Sequence, residues 1–285
     1  MEGGSPTLRR RRLGRALRAL RERAGLTGEE VGAAVERSGS WISRVETGRV
    51  GLRTRDVREL LDHYGLEDPL RREQLEELAR EGKQRGWWSH YAEVLPETYA
   101  IYIGLEDESR EILTYEATVV PGLLQTQDYS RAIQRQAAMP NPSNVIEARV
   151  SVRMRRQTRL SLPEPLQVRT IVDEAILYRE VGGARVLRDQ LSRLIESAQE
   201  PAVDLRVIPF ARWDKIIAPV SFNIMRFSED PDIVWLETAT GVAYEDGQHE
   251  VMLYNEIFEN LTAAALNTKE SVALIEKARK SIRDY

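Results

Sequence analysis

The feature that most constrains this chain is a dense set of helix stops and starts between residues 13 and 64. Leu13, Leu17, Leu20 and Ala24 recur at spacings of 4, 3 and 4, which places them on one helical face, and Gly25 then ends the helix as a residue that tolerates left-handed backbone. Thr27 with Glu30 three residues later forms a capping box, opening a short helix whose Val31, Ala34 and Val35 are expected to face inward. Ser38 caps a third helix, with Ile42 and Val45 on its buried face and Gly39, Ser40, Ser43 and Arg44 elsewhere. Gly48 stops it, and Thr54 opens a fourth carrying Val57, Leu60, Leu61 and Tyr64. Four short helices within about 60 residues, tightly connected between the second and third, make a helix-turn-helix layout.

Charge divides at the same place. The 285 residues sum to −4, but residues 1–60 hold 14 arginines against 8 acidic residues, so that end is +6 and the remainder −10. Such asymmetry joins an anion-seeking end to a part with a different task. A hydrophobic share of 42% with 30% charged fits a folded chain of about two domains. No apolar stretch approaches the roughly 18–20 residues of a membrane span, and no apolar core follows the arginines of the first dozen residues, so a cytoplasmic protein without membrane contact is expected. The absence of cysteine excludes disulfides, thiolate nucleophiles and cysteine-based metal sites. The run Arg9–Arg12 reads as a solvated helix face or a loose arm.

The run Ala24-Gly25-Leu26-Thr27, then Val31 through Val35, then Ser38 through Arg49 resembles, without a gap, the Cro/C1 (XRE-type) repressor DNA-binding domain. The resemblance implies that Arg21, late in the first helix, pairs with Glu46, just before the end of the recognition helix. A buried carboxylate is well served by such a forked partner. It further implies base reading by Gly39, Ser40, Trp41 and Arg44, with Arg44 able to fork onto guanine O6/N7, and phosphate contact by Thr27, Gly28, Ser43, Thr47 and Arg49. Trp41 can equally pack inside. Two positions depart from that pattern: Gly32 stands where alanine is usual and Glu36 where glycine is usual, the first removing a methyl from a helix contact and the second placing a Cβ where glycine's freedom is used.

From Leu70 to about Lys83 a charged helix reads as a connector, giving domains at 1–68 and 86–285 with a connecting helix over 69–85. Trp87-Trp88 is expected to open the second domain and seat its first helix. Strands are predicted at 112–117, 168–172, 205–209, 221–227 and 233–237, and helices at 126–138, 143–160, 184–198, 249–265 and 268–283. The fold class is therefore an all-α helix-turn-helix domain followed by a larger mixed α/β domain of α+β type, with the sheet order beyond reach. Ile101–Glu106, Tyr115-Glu116, the block Val120-Pro121-Gly122-Leu123-Leu124-Gln125-Thr126 with Tyr129, Arg153 through Gln157, Asp173-Glu174-Ala175, Gln190-Leu191, Arg206–Phe210 and Glu270-Ser271 resemble the C-terminal domain of actinomycete WhiJ-like, antitoxin-type regulators. That resemblance implies a small acidic partner protein encoded nearby and no established chemistry.

Catalysis finds no support. His63, His90 and His249 lie in separate regions, no nucleophile elbow, P-loop or dinucleotide fingerprint occurs, and no cofactor or metal is expected. Asp173-Glu174 reads as a polar contact or cap. Tyr115, Gln125, Tyr129 and Arg156 either line a pocket or partner groove, or belong to a turn anchored by Leu123 and Leu124 and capped by Thr126. The expectation is a homodimeric, repressor-like regulator of double-stranded DNA binding an inverted repeat, its C-terminal domain serving dimerisation and signal reception. The alternatives are an antitoxin-like module that holds a small partner and a regulator that senses a small-molecule effector.

Overall fold

The stops and starts become backbone geometry. In the computed structural model, which describes residues 6–84, 86–136, 141–215, 220–238 and 241–283, Gly25 and Gly48 take φ of 72° and 71°. The Thr27 and Ser38 side chains accept hydrogen bonds from the backbone of Glu30 and Trp41. The resulting helices are α1 (Pro6–Arg23), α2 (Gly28–Ala34), α3 (Gly39–Glu46), α4 (Thr54–His63), α5 (Pro69–Glu81) and α6 (Glu97–Glu108), with a 3-10 turn at Trp87–Tyr91. Thr54 is the first residue of α4; Arg53 holds the cap position, its N–H donating to Asp56 at 3.1 Å.

These elements form the first of two compact units, Met1–Glu108. Leu13 and Leu17 of α1, Val31, Ile42, Val45 and the α4 trio Val57, Leu60 and Leu61 make its core. The segment expected as a connector buries Leu75 and Ala79 of α5 in that same core. Ala24 and Ala34 are exposed, contrary to the spacing: α1 has already ended at Arg23, and Gly32 rather than Ala34 turns toward α3. Trp87 donates from its indole nitrogen to Asp107 of α6 at 3.3 Å, and both belong to this unit.

The second unit, Ser109–Tyr285, is built on six strands: β1 (Glu111–Glu116), β2 (Gln167–Asp173), β3 (Val203–Ile208), β4 (Phe222–Arg226), β5 (Ile233–Thr238) and β6 (Gly241–Glu245). Their order is β3-β2-β1-β4-β5-β6. β1, β2 and β3 are parallel, Glu111 opposite Gln167 and Val168 opposite Val203, whereas β4, β5 and β6 run antiparallel. The helices are α7 (Gln127–Arg135), α8 (Ser143–Gln157), α9 (Ala184–Ser197), α10 (Gln248–Ala264) and α11 (Thr268–Ser281). Val172, Leu205 and Val207 pack with Tyr129, with Leu191 of α9 and with Ile275 of α11. On the other face Leu113, Tyr115, Ile171 and Phe222 pack on Phe258 and Leu261 of α10. The apolar residues of the parallel strands mostly alternate with polar ones, as in the Val203, Leu205 and Val207 set of β3, with short fully buried stretches at Ile171-Val172 and Val207-Ile208 where both faces are covered.

The mixed α/β class and the five expected strands are present, each within two residues of its predicted ends. The helix expected over 143–160 passes into 3-10 geometry at Thr158, and residues 137–138 of the one expected over 126–138 lie outside the described residues. Two elements were not read from the sequence. α6 buries five consecutive residues, Tyr102–Glu106, so it shows no 3.6-residue stripe, and β6 is only five residues long.

Candidate nucleic-acid interface

α3 is amphipathic in a way that fixes which side is available. Ile42 and Val45 are buried, and Ser40, Ser43, Arg44 and Thr47, spaced to share the opposite side, are exposed. The Arg44 guanidinium makes no hydrogen bond or ion pair among the described residues. Gly39 is a packing residue as much as a surface one: a Cβ there would come within 2.9 Å of Glu29 Cγ, so its missing side chain lets α2 and α3 close. Trp41 is partly buried against the core.

The orientation of α3 is locked from α1. Arg21 Nε donates to Glu46 Oε1 at 2.6 Å and Nη2 to Oε2 at 3.0 Å, a bidentate pair, while Nη1 donates to the Leu26 carbonyl at 2.8 Å. The two side chains are 14% and 9% exposed. Glu46 raises the Arg21 pKa further through this hydrogen bond, and burial followed by the Glu46 charge pushes the Tyr64 hydroxyl up to about 12.

The expected phosphate contacts are less uniform. Thr27 already donates its N–H and its hydroxyl to the Glu30 carboxylate, at 2.7 and 2.8 Å. A phosphate beside Thr27 and Gly28 would have to displace that carboxylate, so the start of α2 is closed by its own capping box. Thr47 donates its hydroxyl to the carbonyls of Ser43 and Arg44, at 2.8 and 3.3 Å. Arg49 is exposed just beyond α3, and Ser43 lies on the same face as Arg44.

The arginine run is neither a solvated face nor an arm. Arg9 pairs with Glu81 at 3.0 Å, Arg10 donates to the Gly82 carbonyl at 2.7 Å, and Arg11 is buried with its stem against Gly48. Much of the positive charge of α1 is thus spent on holding α5 and the end of α3. Arg37, Arg44, Arg49 and Arg53 are the exposed cations flanking α3.

The two departures from the repressor pattern have a geometric meaning. A Cβ on Gly32 would lie 2.8 Å from the Ser38 carbonyl carbon and 2.9 Å from both Arg37 O and Gly39 N, all backbone, so alanine does not fit. Glu36 takes φ 54°, the left-handed conformation that glycine usually supplies. Between them Arg37 donates its N–H to the Gly32 carbonyl at 2.7 Å, and its guanidinium carbon sits 5.5 Å from the centre of the Trp41 ring. Sequence reasoning passed over Arg37; the signal was an arginine beside the cap and four residues before a tryptophan.

In the second unit the four residues proposed for a pocket or partner groove are buried. Tyr115, Gln125, Tyr129 and Arg156 are 1%, 2%, 0% and 4% exposed. Tyr115 faces α10 and packs on Phe222, whereas Tyr129 lies in the core across the sheet, so the fold does not assemble a common lining. Gln125 donates to the Val120 carbonyl at 2.6 Å and accepts from Arg153 at 2.6 Å. Val120 N–H donates to the Tyr129 hydroxyl at 3.3 Å. Gln157 donates to the carbonyls of Gly122 and Gln125, and Gln190 donates to the Leu124 carbonyl while accepting from Thr126 N–H at 2.7 Å. The 120–126 block is a clamp of side-chain amides on a turn, joining α7, α8 and α9.

Other candidate positions are also structural. Asp173 accepts from Ala175 N–H at 2.7 Å and Glu174 from Phe210 N–H at 2.8 Å, capping strand ends. Ser271 accepts from Val207 N–H at 3.0 Å, covering the outer edge of β3. Glu116, at the carboxyl end of β1, has its pKa raised to about 7 by burial, against the hydrogen bond from Ser221. Among the described residues no group of three His, Asp or Glu could hold a metal ion, and no helix is long and apolar enough to cross a membrane.

Residues 12–74 match the family model described as a helix-turn-helix domain, and residues 99–277 match one described as a domain of unknown function, DUF5753. No curated protein and no solved structure matches the chain.

Proposed function

The chain belongs to the DUF5753 family and carries a helix-turn-helix DNA-binding domain, and we propose that it is a sequence-specific transcriptional regulator, repressor-like, acting in the cytoplasm as a homodimer on an inverted repeat. The observation that carries this is the free Arg44 guanidinium on the exposed side of α3, a helix held in place by Arg21 and Glu46. A single domain of this kind makes a small interface, so two copies reading half-sites about 34 Å apart gain the specificity one lacks. In this reading the DUF5753 unit assembles the dimer and receives a signal.

Selection of genomic DNA by the full chain, followed by footprinting, tests the reading. The expected outcome is a discrete palindromic footprint. Arg44→Ala should flatten one base position in each half-site, costing roughly 1–3 kcal/mol there, while Arg49→Ala weakens all sequences alike. Recovery of DNA without any shared motif would overturn it.

A further inference from the structure

We propose that Arg37 is a second base-reading residue, contacting a guanine at the amino-terminal end of α3, with Trp41 as the platform that aims it. The inference rests on the DNA-binding reading above and extends it to a residue outside the face of α3.

Three observations converge on Arg37. Its guanidinium lies over the Trp41 ring, 5.5 Å from the ring centre to the guanidinium carbon. It is exposed and has no hydrogen-bonding or ion-pair partner for its side chain among the described residues, unlike Arg9, Arg10 and Arg21, which are all engaged. Its backbone is fixed on both sides: the Arg37 N–H donates to the Gly32 carbonyl at 2.7 Å, and the Arg37 carbonyl occupies the space a Gly32 side chain would need. Glu36 reaches this geometry at φ 54° without being glycine. A strained residue and an absent side chain therefore converge on the placement of one cation.

The donor fork decides what the cation recognises. A guanidinium whose carbon lies 5.5 Å from an indole centre is held by cation–π attraction, which leaves its N–H groups unspent. That fork matches the O6/N7 edge of guanine, and although a phosphate can be gripped by the same two N–H groups, the place of Arg37 at the amino end of the recognition helix favours a base edge. The residues at the amino end of a recognition helix are those that meet base edges. Ser38 opens α3 directly after Arg37, its hydroxyl 2.9 Å from that of Ser40.

The test is selection from a randomised duplex library by the full-length protein and its variants. Wild type should enrich half-sites with two fixed guanines. Arg37→Ala should remove the preference at one, by roughly 5- to 150-fold, and leave the Arg44-dependent one intact. Trp41→Leu and Glu36→Gly, which loosen the platform and the backbone, should weaken discrimination at that same position several-fold, and Glu36→Gly should do so while raising the melting temperature, an outcome that misfolding cannot imitate. An even loss across all sequences with Arg37→Ala would make Arg37 a phosphate contact and overturn the proposal. So would an unchanged motif in Arg37→Ala beside a changed one in Arg44→Ala. A wild-type protein that enriches no motif overturns the reading on which both residues rest.

Discussion

Removing either member of the Arg21–Glu46 pair should cost far more than removing both. Glu46→Ala strands two guanidinium N–H groups that now donate at 2.6 and 3.0 Å from a side chain 14% exposed. A buried donor left without an acceptor costs about 1–3 kcal/mol, more when charged, and loss of one member of a buried pair costs about 3–5 kcal/mol. Slight solvent access to Arg21 places the expected loss near the lower end, about 3 kcal/mol. Arg21→Met strands the Glu46 carboxylate and also vacates the Leu26 carbonyl, so about 3–4 kcal/mol is expected. In Arg21→Met with Glu46→Ala no charge is buried alone, and the total should fall to about 1–2 kcal/mol, a coupling of about 4–6 kcal/mol. Urea unfolding followed by amide exchange of the α1 and α3 segments in the full chain would measure it. Added salt should leave the coupling nearly unchanged, in contrast to the exposed Arg18–Glu22 pair, which salt screens. Additive single costs below about 0.5 kcal/mol, or a coupling that salt abolishes, would refute the lock.

The other expectations concern single sites. Gly32→Ala should destabilise by about 1–3 kcal/mol in thermal unfolding although alanine is the better helix former, because its Cβ meets backbone at 2.8–2.9 Å; a net gain would mean the contact is absent. Glu36→Gly should stabilise by about 1 kcal/mol by releasing the left-handed strain. Glu116 has a raised carboxyl pKa, so the folded chain binds its proton more tightly than the unfolded one; stability falls as pH rises from 4.5 to about 7, and the penalty is complete above that. Glu116→Gln should therefore unfold at higher urea than wild type at pH 8, by up to about 3 kcal/mol, and match it near pH 4; an equal difference at both pH values would contradict this. Gln190→Leu leaves Thr126 N–H and the Leu124 carbonyl without partners in a buried region and should cost about 2–4 kcal/mol, with loss of exchange protection at Thr126 as the local signature.

How much was legible follows from how far each interaction reaches. Thr27, Glu30, Ser38, Gly25 and Gly48 act within four residues of themselves, and the helices they bound were read correctly from spacing alone. The alternating apolar runs placed five strands for the same reason, since a strand's two faces are written in its own residues. α6 and β6 escaped because burial on all sides erases the stripe in one and brevity the other.

What the sequence determined by itself is therefore the set of local elements, the excess of positive charge in the first 60 residues, and the exposed face of α3. Only the tertiary structure decided where the long polar side chains went. Arg10 finds its acceptor 72 residues away at Gly82, Gln190 reaches 66 residues back to Leu124, and Thr114 meets Asn223 across 109. Caps and periodicity are encoded in neighbours along the chain, but the partner of an arginine or a glutamine depends on which distant segments the closed fold brings beside it. That is why an arginine run that read as surface became internal support, why the block that read as either a turn or a pocket lining became a clamped turn, and why Arg37 emerged only once Gly32, Glu36 and Trp41 were placed around it.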